Sequence, residues 1–110
     1  MLTYSQALLK LGNKENKKVA NNTYLVKNTN GTIGVKLHGT QVVVILPGNT
    51  FSLYSGGYRT VTTKQRINAF SPARVYQERG RWFVTVSPEN PHISDFYEGI
   101  TVDEKGEIIT

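Results

Sequence analysis

Residues 23–54 read TYLVKNTNGTIGVKLHGTQVVVILPGNTFSLY, and the period of their apolar positions decides the fold. Thr23–Lys27 is β-branched and aromatic, and Asn28-Thr29-Asn30-Gly31 supplies the residues that tolerate a tight reversal. Ile33, Val35 and Leu37 alternate with polar or small neighbours, the period of a strand with one buried face. Val42–Leu46 is apolar throughout, as in a strand covered on both faces or central in its sheet. Pro47-Gly48-Asn49 makes the next turn, and Phe51–Tyr54 returns with Phe51 and Leu53 on one side. Tight turns join antiparallel neighbours, so this stretch predicts a β-meander.

The flanks add two helices and more strands. Leu2, Ala7, Leu8 and Leu11 recur near helical spacing, with Thr3 or Ser5 as N-cap and Gly12-Asn13 as stop, which predicts a short amphipathic helix over 4–11. The polar stretch NKENKKVANN, residues 13–22, reads as a helical extension or a loop. After Ser55-Gly56-Gly57 the period changes. Ile67 and Phe70 follow a threonine N-cap and precede Ser71-Pro72, which predicts a second short helix over 62–70. Arg74–Gln77 and Arg81–Val86 read as strands across Glu78-Arg79-Gly80, with Trp82, Val84 and Val86 on one side. PENPHISDFYEG, from Pro88, reads as a loop. Ile100–Val102 can pair with Glu107–Ile109 as a small terminal hairpin. The expected class is α+β, an antiparallel β-meander of about five to six short strands with two short helices packed on it. Residues 1–88 are expected to form a single domain, with the acidic segment 89–110 packed on it.

Composition bounds the chemistry. At 110 residues, a folded chain is expected to expose about 6,000 Å² of the about 18,000 Å² of its extended form, enough burial for one core without a metal or disulfide. Cysteine is absent, which excludes disulfides, thiolate nucleophiles and cysteine-ligated zinc or iron–sulfur clusters. No apolar run approaches the ~18 residues of a membrane span, and MLTYSQALLKLG has neither a basic leader nor a cleavage site, so a soluble, intracellular protein with no membrane partner is expected. The net charge of +5 is unevenly spread: residues 1–70 hold nine Lys/Arg and one Glu, while 71–110 hold four Lys/Arg against seven Asp/Glu. A basic body suggests an anionic partner, and the acidic end either shields that surface or meets a second partner.

The densest chemistry lies in SGGYRTVTTKQR, residues 55–66. Gly56 and Gly57 let backbone N–H groups approach an oxygen-rich ligand, and Ser55, Thr60, Thr62 and Thr63 offer hydroxyls. Arg59 presents a fork matched to phosphate, Lys64 and Arg66 add charge, and a helix starting near Thr62 adds its N-terminal amides. A phosphate, a nucleotide or a nucleic-acid backbone is the natural ligand. The spacing is not that of a GxxxxGK[ST] phosphate loop, and a glycine turn before a capped helix whose charges face water has the same residues. His38, at a strand end, is the candidate general acid or base of a metal-free nuclease, but His92 lies far along the chain as the only second imidazole. The carboxylates Glu89, Asp95, Glu98, Asp103 and Glu104 have no calcium-loop or zinc spacing, so neither metal nor other cofactor is expected. Aromatics sit beside cations, as Tyr24 with Lys27, Tyr58 with Arg59, Tyr76 with Arg74 and Arg79, and Trp82 with Arg81. That pattern suits base stacking if the rings are exposed and a core if they are not.

Four segments together resemble small proteins encoded by bacteriophages and prophages. They are ANNTYL (20–25), VKLHGTQVV (35–43), LYSGGYRTVTTKQRIN (53–68), and VYQ (75–77) with RWFV (81–84); the likeness covers roughly 20–86. The resemblance implies an accessory protein acting in the bacterial host cytoplasm, of the kind that manipulates host nucleic acid, nucleotide signals or defence systems. Three functions follow as expectations. The first is binding of a phosphate-bearing ligand through Ser55, Gly56, Gly57, Arg59, Thr60, Thr62, Thr63, Lys64 and Arg66, with His38, Thr40 and Tyr58 lining the site. The second is inhibition of a host defence nuclease such as a CRISPR effector by protein–protein contact. The third is a metal-free nuclease or phosphodiesterase using His38. Short edge strands leave a homo-oligomer open.

Overall fold

The computed structural model describes residues 1–87 and 90–109, with the backbone alone for 86, 87 and 90–92. In chain order the described elements are α1 (Tyr4–Leu11), β1 (Asn16–Ala20), β2 (Thr23–Lys27), β3 (Ile33–Leu37), β4 (Thr40–Ile45), β5 (Phe51–Leu53), α2 (Val61–Phe70), β6 (Arg74–Glu78), β7 (Arg81–Ser87), β8 (Asn90–Asp95) and β9 (Ile100–Val102). The fold is α+β, and the strands form two antiparallel sheets, one of six ordered β1-β2-β3-β4-β5-β9 and one of three ordered β6-β7-β8.

Helix α1 spans the residues its spacing predicts. Thr3 Oγ1 accepts from Gln6 N–H at 3.2 Å while Thr3 N–H donates to Gln6 Oε1 at 2.9 Å, so two first-turn donors are satisfied reciprocally. Gly12, at φ 58°, ends the helix and returns its N–H to Leu8 C=O. The meander of 23–54 forms as its alternation predicts, with Leu25, Val35, Val43 and Leu53 facing inward in register across four strands.

The polar stretch 13–22 differs from its reading. Asn16–Ala20 is an edge strand, folded onto β2 by a reversal in which Asn22 takes φ 54°. An edge strand gains its ladder bonds from one neighbour without burying a face, so it carries no apolar period, and its lysines discourage further pairing. Residues 90–95, read as loop, pair with β7 instead. This too is an edge strand, the place in a sheet where a proline such as Pro91 is tolerated. Ile100–Val102 pairs with β5, and Val102 also bridges Ile108, so the terminal reversal is attached to the larger sheet.

One core joins both sheets. Leu25, Val35, Val43, Ile45, Phe51, Leu53 and Ile100 pack with Ala7 and Leu11 of α1, Ile67 of α2, and Val75, Trp82 and Val84 of the smaller sheet. The exposed area, 6407 Å², agrees with the size expectation. Helix α2 packs against β6 on one side and the β3–β4 hairpin on the other. Asn68 pins it to β6 like a strand partner, accepting from Val75 N–H at 2.7 Å and donating to Val75 C=O at 3.0 Å. Arg66 pins it to the larger sheet, donating from Nε to Thr23 Oγ1 at 2.8 Å and from Nη2 to Asn21 C=O at 3.2 Å. These two anchors set the N-terminal end of α2 close to the turn at His38-Gly39.

Candidate functional site

A cleft of about 640 Å³ opens between the His38-Gly39 turn, the 55–60 loop and the start of α2. Leu37 and Val42 supply its apolar lining; His38, Thr40, Ser55, Tyr58, Thr60, Thr62 and Thr63 supply polar groups. His38 adopts φ 53°, a left-handed conformation uncommon outside glycine, and its N–H donates to Asn22 C=O at 3.1 Å. That bond ties two hairpin turns together and leaves the exposed imidazole at the cleft rim.

On the opposite wall Thr60 is the N-cap of α2. Its Oγ1 accepts from Thr63 N–H at 3.1 Å and lies 3.0 Å from Thr63 Oγ1. No acidic residue stands in the first turn, so the positive end of the helix is uncompensated there. Tyr58, 68% exposed, stands at the edge of the cleft. Among the described residues neither a carboxylate nor a Lys or Arg side chain lines the cleft.

The glycine loop works differently from its sequence reading. The Gly56 amide and the Ser55 hydroxyl, read as donors to an external oxyanion, donate to Glu98 instead, at 2.8 Å to Oε1 and 2.7 Å to Oε2, and the Ser55 amide joins them on Oε1 at 2.8 Å. The chain thus fills its own anion cradle. Gly56 is required twice over: its φ is 62°, and a Cβ there would stand 2.6 Å from Thr40 Oγ1.

The cations of this segment turn away from the cleft. The Arg59 guanidinium stands 5.5 Å from the centre of the Trp82 ring and 5.4 Å from that of Phe96. Lys64 Nζ stands 5.6 Å from the Trp82 centroid and donates to Gln77 Oε1 at 3.2 Å. Among the described residues neither meets a carboxylate; the ion pair found there is Arg81–Asp95. Trp82 itself is core, 2% exposed. Of the residues singled out from sequence, His38, Thr40, Ser55, Tyr58, Thr60, Thr62 and Thr63 come together. Gly56 and Gly57 are not among the lining residues, Arg59 and Lys64 lie over Trp82, and Arg66 points to β2. The His92 side chain lies outside the described residues. Glu98 had no local signal, because its loop partner is 43 residues away.

Residues 3–103 match the family described as Kyanoviridae Gp96 protein. The chain belongs to that family. The matched span runs from the N-cap of α1 past β9 and so includes both walls of the cleft and Glu98. The family is one of phage proteins, in keeping with the phage resemblance expected from the sequence. Nothing among the curated proteins or the solved structures matches the chain. No helix of the described residues is long and apolar enough to cross a membrane.

Proposed function

We propose that this Gp96 protein is a phage accessory protein that binds a phosphate-bearing ligand of nucleotide size in the cleft between the His38-Gly39 turn and the start of α2. The observation that carries this reading is the convergence of one imidazole and six hydroxyl side chains on a single cleft with Leu37 and Val42 among its lining. About 640 Å³ falls in the range of small-molecule sites. The start of α2, capped by Thr60 but without an acidic residue in its first turn, suits a phosphate, the hydroxyls suit a sugar, and the exposed Tyr58 can cover a base. Arg59 and Lys64 add positive potential nearby without lining the site. One imidazole with no carboxylate among the lining residues favours binding over general acid–base cleavage.

The test is a titration of the protein with AMP, with adenosine and inorganic phosphate as controls, followed in amide correlation spectra. AMP is expected to shift the His38, Thr62 and Thr63 resonances saturably, and Thr62→Val or His38→Ala to weaken binding about tenfold, the value of one charge-assisted hydrogen bond. No shift at these residues with AMP or phosphate overturns the reading. Native mass spectrometry from a bacterial host gives an independent check. A retained host protein and no small molecule would transfer the case to inhibition of a host defence nuclease.

A further inference from the structure

The solvent face of the six-stranded sheet carries a feature unrelated to the cleft. Strand register sets Lys18, Tyr24 and Lys36 directly opposite one another across β1, β2 and β3. All three are exposed, and Tyr24 keeps 41% of its surface. Neighbouring strands are about 4.8 Å apart, so the two lysines flank the ring at one strand spacing on either side. Among the described residues neither lysine meets a carboxylate.

The surrounding face is shallow and lightly polar. Val26, Gly34 and Val44 stand in register in the adjoining row, with Ser52 and Thr101 continuing it. The Gln41 side chain lies across Gly34 and is held there by Asn28, which donates to Gln41 Oε1 at 2.9 Å and accepts from its Nε2 at 2.8 Å. No Asp or Glu occupies an outward position in these paired rows. Glu98, at the corner beside Tyr54, is engaged by Ser55 and Gly56.

We propose that this face binds single-stranded nucleic acid, with a base stacked on Tyr24 and phosphates met by Lys18 and Lys36. A burial-driven sheet face would carry an apolar patch; here an exposed ring stands between two cations, and Lys36, on the inner strand β3, has no edge to protect. A polyanion with free planar bases satisfies both halves of the pattern, since stacking is sequence-tolerant and the lysines supply the charge complement. A duplex keeps its bases stacked inside and offers Tyr24 nothing.

The test uses fluorescein-labelled dT20 and U20 in anisotropy titrations of the full chain at 50 and 200 mM salt, with a duplex of equal length as competitor. Two phosphate contacts predict a slope of log K against log salt of about −1.4. Lys18→Gln with Lys36→Gln should flatten that slope. Tyr24→Ala should weaken binding at least about fivefold, and Tyr24→Phe should restore it. These positions are exposed, so circular dichroism of each variant is expected to match the parent. Preference for U20 or dT20 tells which strand is the better ligand. No binding of either strand, equal competition by duplex, or equal loss in the alanine and phenylalanine variants overturns the proposal. Lys18→Gln with Lys36→Gln should leave the AMP-induced shifts at His38, Thr62 and Thr63 unchanged, so failure here and failure of the cleft reading are separately visible.

Discussion

Removing the Glu98 carboxylate probes the least expected contact of the fold. Glu98 accepts from the Ser55 and Gly56 amides at 2.8 Å each and from Ser55 Oγ at 2.7 Å. Ser55 is 1% exposed, so in Glu98→Ala its amide loses its acceptor where water has little access. Leaving such a donor unpaired costs about 1–3 kcal/mol. The Gly56 amide is exposed and rehydrates, so it adds little; Ser55 Oγ still accepts from Gly57 N–H at 3.2 Å, but its own O–H loses its acceptor as well. Because Glu98 itself is exposed, the charge contributes modestly, and the total is about 2 kcal/mol. For a chain of this size that lowers the melting temperature by about 10 °C. Glu98→Gln, whose amide oxygen still faces both N–H groups, should cost about half as much. Urea and thermal unfolding followed by Trp82 fluorescence measure both. The emptied cradle should then accept a small carboxylate, so sodium formate should raise the stability of Glu98→Ala more than equal sodium chloride, and leave the parent unmoved. A drop under about 2 °C, or identical responses to formate and chloride, would refute the claim that the 55–56 amides form an anion cradle filled by Glu98.

Two further outcomes concern how the scaffold holds the two candidate surfaces. A Cβ at Gly34 would collide with the Gln41 carboxamide, so Gly34→Ala should destabilise by about 1–3 kcal/mol, and Gln41→Ala in the same chain should recover much of it, as a double-mutant cycle by urea unfolding would read. Asn68→Ala strips both backbone partners from buried Val75 and should cost about 1–3 kcal/mol while broadening the amide resonances of β6; intact Val75 protection in hydrogen exchange would contradict it.

Both helices and the central meander were legible in the sequence because their signals are local. The alternation of Ile33, Val35 and Leu37 buries one face wherever the strand is placed, and Thr3 with Gln6 and Gly12 punctuates α1 without outside help. The α2 start at Thr60 is a cap of the same kind, two residues before the expected Thr62. Strands β1 and β8 were not legible, since an edge strand owes its shape to a neighbour's unpaired backbone and not to its own apolar period. The site divides the same way. Residues carrying hydroxyls and charge in 55–66 could be named from their types, but a sequence cannot say which side of a loop each one faces.

The sequence by itself determined a small α+β protein with a basic body, and membership of the Gp96 family followed from it. Only the tertiary structure decided that seven of the twelve singled-out residues share a cleft, that Arg59 and Lys64 cover Trp82, and that Glu98 fills the glycine loop. The same holds for the row of Lys18, Tyr24 and Lys36. These pairings depend on strand register and helix anchoring between residues distant in the chain, and register is an energy minimum of the whole core rather than a property of any one segment.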